Sequence, residues 1–186
     1  MKKIILSAFA LIVFGFAGAQ KKFEAKINPL GALFGTPEVS GEYIVNDNFG
    51  VELSLGIAFG KVVGASVNGA EKPTQSGFSS KLSGKYYFNP DEGCDGWYGG
   101  LYLRQEALTI SYDAVYKNSD YKSSVIAGGV EIGKKWLFDS GILIDLGFGV
   151  GRPFTETRTF TNNNNDFGTF ELGVDFTGKF AIGYRF

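Results

Sequence analysis

The clearest feature of the chain is a regular alternation of apolar and polar residues over its last seventeen positions. Every second residue from Phe170 to Phe186 is large and apolar, apart from Gly178, and the residues between them are small, hydroxylated or charged. A period of two predicts a β-strand with two chemically opposite faces. The segment is about twice as long as an ordinary strand of a soluble protein, whereas a tilted strand that crosses a bilayer needs roughly 9–11 residues in the hydrocarbon.

Seven earlier segments alternate in the same way, and they lie at about 23–34, 38–45, 49–59, 78–88, 97–110, 122–138 and 141–151. Pro29 cannot donate a ladder hydrogen bond, so we expect a break or bulge there. Short polar turns follow the second, fourth and sixth segments, and longer polar loops are expected near 61–77, 111–121 and 152–168. This organisation predicts an all-β, eight-stranded antiparallel up-and-down transmembrane β-barrel.

Alternation alone does not determine which face of each strand lies inside the barrel. An eight-stranded barrel has an interior just wide enough to be filled by side chains, and several dozen bulky apolar side chains cannot all enter it. We therefore predict an apolar outer face and a charged interior. The charged residues of the inner face are Glu24, Lys26, Glu42, Glu52, Lys81, Lys85, Arg104, Glu106, Glu131, Lys135, Asp145, Glu171, Asp175, Lys179 and Arg185. Eight acids against seven bases are nearly neutral, as a buried ion-pair network requires.

The aromatic residues gather at both ends of the predicted strands. One group, at the short turns, consists of Phe49, Tyr86, Phe88, Trp97, Trp136, Phe138, Tyr184 and Phe186. The other group, at the long loops, consists of Phe34, Phe59, Phe78, Tyr112, Tyr121, Phe154 and Phe170. Two aromatic girdles are expected of a membrane barrel. The general preference of aromatic residues for strands does not explain why they gather at the strand ends.

The first nineteen residues have the pattern of an export signal. Lys2 and Lys3 precede an apolar run over 4–16, and a small-x-small sequence follows at 17–19. The run is shorter than the roughly 20 residues that a membrane-spanning helix needs. We therefore predict a signal peptide at 1–19, a barrel domain at 20–186 and delivery to the outer membrane.

The composition excludes several classes of function. The chain contains no histidine, which excludes Ser-His-acid hydrolysis and His-dependent lipid deacylation. Without Lys2 and Lys3, 16 basic residues remain against 19 acidic ones, a net charge of −3 that gives no argument for nucleic acid. Cys94 is the single cysteine, so no internal disulfide forms. The inner acids have basic neighbours, so we expect no enzyme activity, no cofactor and no metal.

One turn contains acidic residues of the kind that can bind a metal ion. Asp91, Glu92 and Asp95 lie close together in a polar turn, but their spacing matches no defined calcium loop. A solvated acidic turn is the expected structure, and Cys94 in the same turn is expected to have no function.

The end of the chain and two early segments resemble known families. Tyr184 and Phe186, at the end of an alternating strand, resemble the C-terminal signal read by the barrel-assembly machinery. The segments 26–30 and 41–43 are similar to a family of bacterial outer-membrane β-barrel proteins with no assigned function. The chain also resembles small outer-membrane barrels of the OmpX type and the OmpA transmembrane-domain type. The resemblance implies outer-membrane lipid and, during biogenesis, the assembly machinery as partners, and it implies no ligand.

Three functional hypotheses follow from this sequence. The first is a non-catalytic integral outer-membrane barrel with a structural or surface-interaction role, in which an unknown extracellular ligand contacts loops such as 111–121. The second is a narrow porin-like channel for ions or small solutes, since small residues line the third, sixth and seventh strands. The third is a soluble periplasmic lipocalin-like carrier with an apolar interior.

Overall fold

Nearly all of the described chain is β-strand. The structure is a computed structural model that describes residues 22–33, 35–62, 73–112, 119–162, 165–169 and 172–186, so the predicted signal peptide lies outside the described residues. The strands are β1 (Phe23–Asn28), β2 (Glu38–Asn46), β3 (Phe49–Lys61), β4 (Thr74–Phe88), β5 (Gly96–Ser111), β6 (Ser119–Leu137), β7 (Ile142–Asn162), β8 (Asn165–Thr169) and β9 (Asp175–Arg185). One short helix, α1 (Pro29–Leu33), follows β1. In this part of the chain no helix has the length and apolar character needed to cross a membrane.

The strands form one antiparallel sheet whose order returns to its beginning. Each strand from β1 to β6 pairs with the next one along the chain, β7 pairs with β9, and β9 pairs with β1. Eight strands therefore have a neighbour on each side, while β8 pairs with β7. The predicted eight-stranded, antiparallel, up-and-down all-β fold is confirmed. We call the inside of this ring the lumen, the end with the turns near 47, 92 and 140 the turn end, and the opposite end the loop end.

The first predicted strand is too long beyond Asn28. The break expected at Pro29 is present, but the chain then forms α1 instead of continuing as a strand to residue 34. Proline suits the first position of a helix because its missing N–H would have no helical acceptor there. The Asn28 side chain accepts a hydrogen bond from the Gly31 N–H at 3.0 Å, which caps the helix.

The predicted loop over 152–168 is wrong. β7 continues to Asn162 and stays paired with β6, and β8 pairs with its far end. Both faces of this extension are rich in hydroxyl and charged side chains, so it has no apolar period by which the sequence would identify a strand. The last strand is also shorter than predicted, because β9 begins at Asp175 after Gly173 adopts a φ of 70°.

The distribution of apolar residues is opposite to that of an ordinary soluble domain. Among the described residues, 34 large apolar side chains are exposed, most of them on the outer faces of the strands, whereas nine hydrophobic residues are buried. Nineteen polar or charged residues are buried. The apolar faces of the strands therefore point outward and the charged faces point into the lumen.

Glycines of β6 and β7 make room for a tyrosine of β5. A Cβ atom on Gly133 would lie 2.3 Å from the Tyr98 Oη atom, and one on Gly147 would lie 2.5 Å from it. The ring of Tyr102 is placed in the same way, 3.0 Å from a Cβ on Gly149. The glycines that line this wall therefore do not leave an open passage, because tyrosine rings occupy the space beside them.

Candidate functional site in the charged lumen

Six charged side chains meet in the middle of the lumen, and each comes from a different strand. We call this group the central cluster; it consists of Lys26 (β1), Glu42 (β2), Glu52 (β3), Lys85 (β4), Asp145 (β7) and Lys179 (β9). The Glu52 carboxylate accepts from all three ammonium groups, at 2.7 Å from Lys26, 2.9 Å from Lys85 and 2.7 Å from Lys179. Lys26 also forms an ion pair with Glu42. Because charges this deeply buried are tolerated only when paired, the six side chains fix one another in position.

A second group of charges extends the network toward the turn end. The Lys135 ammonium of β6 lies 2.8 Å from Glu24 and 3.1 Å from Glu42. The Arg185 guanidinium donates to Glu24 from Nη2 at 2.6 Å and from Nε at 3.0 Å. The Tyr98 hydroxyl of β5 donates to Asp145 at 2.9 Å. With these contacts all eight strands of the ring are cross-linked through polar side chains.

Two buried tyrosines fill the space around these charges. The Tyr87 hydroxyl donates to Glu42 at 2.7 Å, and the Lys135 ammonium lies 4.5 Å from the centre of the Tyr87 ring. The Lys85 ammonium lies 4.7 Å from the centre of the Tyr98 ring. Cations over aromatic faces gain electrostatic stabilisation that grows as water is removed. The turn-end half of the lumen is therefore filled by side chains.

The turn over residues 89–95 covers the turn end. Arg185 donates to the backbone oxygens of Glu92 at 3.0 Å and Cys94 at 3.2 Å. The Cys94 N–H donates to the Asp47 oxygen at 2.5 Å, which ties this turn to the β2–β3 turn. Asp95 is buried, and its carboxylate accepts from the N–H groups of Asp91 and Glu92. The expected solvated acidic turn is therefore a structured cap in which Asp95 binds backbone rather than solvent.

Cys94 is predicted to be unreactive in the folded protein. Its side chain is fully buried, its Sγ donates to the Asn46 oxygen at 3.2 Å, and burial raises the pKa of the thiol to about 12. A thiol with that pKa is ionised at pH 8 in roughly one molecule in ten thousand, and the thiolate is the reactive form. Maleimide labelling at pH 8 should therefore be negligible until urea unfolds the chain.

The control for this labelling is Ser140→Cys, which adds a second thiol in an exposed turn at the same end. One fast-labelling equivalent is expected in that variant. Fast labelling of Cys94 in the folded wild type would contradict the structured cap.

The loop-end part of the lumen holds a further set of ion pairs. Lys81 lies 3.0 Å from Glu131. Arg104 pairs with Asp175 and, at 2.6 Å, with Glu106. Arg104 and Glu106 are only partly buried, so these pairs are more accessible to water than the central cluster.

A cavity of about 590 Å³ lies above the central cluster. Residues of β3, β4 and β5 line it together with residues of β7 and β9, and these strands form opposite walls of the ring, so the cavity lies in the lumen. Lys179 forms part of its lining and also belongs to the central cluster, which is therefore the floor of the cavity.

Fourteen of the fifteen residues predicted for the interior charge network are described, and all fourteen take part in ion pairs. The lower set is Glu24, Lys26, Glu42, Glu52, Lys85, Lys135, Asp145, Lys179 and Arg185, and the upper set is Lys81, Arg104, Glu106, Glu131 and Asp175. Glu171 lies outside the described residues. Sequence reasoning missed Tyr87, Tyr98 and Glu38, although each has the same parity along its strand as an inward charge.

Three carboxylates of the central cluster lie close enough to hold a metal ion. Ligand oxygens of Glu42, Glu52 and Asp145 lie within 4.8 Å of one another. Each of these carboxylates already accepts hydrogen bonds from lysine ammonium groups. The lysines supply the positive charge that a metal would bring, and we therefore assign the group as an ion-pair cluster.

Fold and site together define a small all-β barrel protein with its charges inside and its apolar surface outside. The family described as "Protein of unknown function (DUF3575)" matches residues 5–171, and the chain belongs to this family. No curated protein matches the chain. The match to a family of unknown function, taken together with the eight-stranded antiparallel fold, is consistent with a small β-barrel-like protein.

Proposed function

We propose that the protein is an integral outer-membrane β-barrel without catalytic activity, which has a structural or surface-interaction role at its loop end. The observation that carries this proposal is the height of the outer apolar band. Outward apolar residues run from Phe49 to Phe59 on β3 and from Ile142 to Val150 on β7. These stretches of eleven and nine residues match the roughly 9–11 residues that a tilted strand places in the hydrocarbon.

The borders of this band support a membrane position. Trp97 and Trp136 are exposed near the turn end, and the Lys134 ammonium lies 5.5 Å and 5.1 Å from the centres of their rings. Tryptophan and lysine are favoured where a bilayer meets water. At the loop end Phe59 and Phe154 are exposed.

The predicted loop-end girdle is incomplete. Tyr112 and Tyr121 are half-buried, and the Tyr112 ring lies 6.2 Å from the Phe160 ring. The predicted girdle residues Phe34 and Phe170 lie outside the described residues. The tryptophans of the turn end are therefore the stronger evidence for an interface with lipid.

The end of β9 supports passage through the barrel-assembly machinery. Tyr184 and Phe186 are exposed on the outer face, and their rings meet edge to face with centroids 5.2 Å apart. This outward aromatic pair on the last strand is the feature that resembles the assembly signal. Together with the resemblance to barrels of the OmpX and OmpA types, and with the predicted signal peptide, it supports an outer-membrane location.

The lumen favours a barrel that does not conduct. The central cluster, two tyrosines and the 89–95 cap fill its turn-end half, so the cavity at the loop end has a floor. This arrangement disfavours the narrow porin-like channel. It also disfavours the soluble lipocalin-like carrier, since that protein would expose its apolar band to water and enclose charges where an apolar ligand should bind.

The proposal predicts insertion into membranes without conductance. Refolded protein added to a planar bilayer should insert but give no stable current steps. Arg104→Ala and Glu131→Ala should behave in the same way, because the central cluster that closes the lumen lies nearer the turn end than either residue. Stable steps whose size changes in both variants would establish the channel instead.

In membranes washed with carbonate the protein should remain in the pellet, and its release would contradict the membrane location.

A further inference from the structure

We infer that the loop-end cavity binds a small zwitterion, with an ammonium group at Glu38 and a carboxylate at Lys81 and Arg104, such as a short peptide or a free amino acid. This inference goes beyond the proposed function, which assigns no ligand to the lumen. It does not depend on the membrane location, because the cavity belongs to the barrel itself.

The cavity has the size and form of a ligand site. Its volume of about 590 Å³ falls within the range of roughly 300–1,000 Å³ usual for small-molecule sites. It is closed below by the central cluster, so a ligand that enters from the loop end would come to rest there rather than pass through.

Glu38 supplies the acidic end of the site. It lines the cavity and is half-buried. Among the described residues no lysine or arginine nitrogen lies within 4.0 Å of its carboxylate, and the positive charges that act on it from farther away are those of Lys81 and Lys179. A half-buried carboxylate without an ion pair is stabilised when a ligand ammonium supplies the missing positive charge.

Lys81 and Arg104 supply the basic end of the site. Both line the cavity. The Lys81 ammonium has three donors, and Glu131 is its one described carboxylate partner. Arg104 has five donors, of which Nε, Nη1 and Nη2 each use one on Asp175 or Glu106. The donors that remain on these two side chains suit the carboxylate of a ligand.

The rest of the lining selects a hydrophilic ligand that carries both charges. Ser54, Ser79 and Thr177 add hydroxyl groups to the wall. A simple anion would meet the carboxylates of Glu38 and Glu106, and a simple cation would meet three basic side chains. A zwitterion satisfies both ends, and it leaves the existing ion pairs intact.

Calorimetric titration of the detergent-refolded protein with triglycine tests this inference. Triglycine should bind, and Glu38→Gln should weaken its affinity at least tenfold, about 1.4 kcal/mol. Glu92→Gln is the matched control because it removes the same charge from an exposed residue at the opposite end; its affinity should stay within twofold of the wild type. No binding of triglycine, or equal affinity in Glu38→Gln and the wild type, would overturn the inference.

A second arm uses the wild-type protein alone and does not depend on the folding of any variant. The bound probe is labelled triglycine, and each competitor is judged by how well it displaces that probe. Glycinamide lacks the carboxylate and acetate lacks the ammonium group, so each should displace the probe at least tenfold more weakly than unlabelled triglycine does. Glucose should not displace it. Competition by acetate equal to that of triglycine would show a plain anion site and overturn the inference.

Discussion

Replacement of Glu52 by glutamine is expected to destabilise the barrel by about 3–5 kcal/mol, the usual cost of removing one partner from a buried ion pair. Glu52 is 1 % exposed and accepts from Lys26, Lys85 and Lys179 at 2.7–2.9 Å. The neutral amide leaves three ammonium groups to share Glu42 and Asp145, the two remaining carboxylates of the central cluster, while Glu24 at 3.2 Å is a further partner of Lys26 alone. Urea-induced unfolding of protein folded into lipid vesicles measures the free-energy change.

The control for this prediction is Glu106→Gln, which makes the same chemical change on the inner face of β5. Glu106 pairs with Arg104 at 2.6 Å, but the two side chains are 30 % and 15 % exposed. Partly solvated pairs contribute about 1 kcal/mol or less. Equal effects of the two substitutions would show that the central cluster is not a dry, mutually dependent network.

Replacement of Gly147 by alanine is expected to destabilise the protein by about 1–3 kcal/mol, the usual cost of overpacking a well-packed interior. The new Cβ would lie 2.5 Å from the Tyr98 Oη atom, and its next neighbours are 3.7 Å or more away. The clash is therefore with one group. Tyr98 is 1 % exposed and bonded to Asp145, so its ring has little room to move.

A double-mutant cycle tests the cause of that loss. Tyr98→Phe removes the hydroxyl and its hydrogen bond, and it should cost roughly 1–3 kcal/mol by itself. In that background Gly147→Ala should cost little, because the atom it clashes with is gone. Gly178→Ala on the adjacent strand is the control, since a Cβ there meets nothing within 4 Å. An undiminished cost of Gly147→Ala in the Tyr98→Phe protein would contradict the assigned contact.

The strands were predictable wherever their two faces differ in chemistry. β3 and β9 alternate large apolar residues with small or charged ones, so a period of two is visible in the sequence. The part of β7 from residue 152 onward was not predictable in this way, because both of its faces are polar. Its pairing with β6 follows from the register of the part of β7 nearer the turn end. α1 was missed for a local reason: the sequence showed the break at Pro29 but not the helix capped by Asn28.

The sequence indicated which charges face inward but not which of them meet. Lys26 and Asp145 are 119 positions apart and lie 2.9 Å from each other, and only the register of the ring brings them together. The same limit applies to the channel hypothesis, which was based on small residues along single strands. Gly133 and Gly147 suggested an open wall, whereas Tyr98 reaches that wall from another strand, a fact that the pattern of one strand does not contain.

The most direct test of a lipid-facing outer surface is quenching of tryptophan fluorescence in vesicles that contain brominated lipids. Both tryptophans of the chain, Trp97 and Trp136, are on the outer face near the turn end, 55 % and 38 % exposed. The proposed membrane barrel predicts strong quenching by bromine placed close to the headgroup and weak quenching by acrylamide in the water. Strong acrylamide quenching without quenching by brominated lipid would contradict a membrane-embedded barrel.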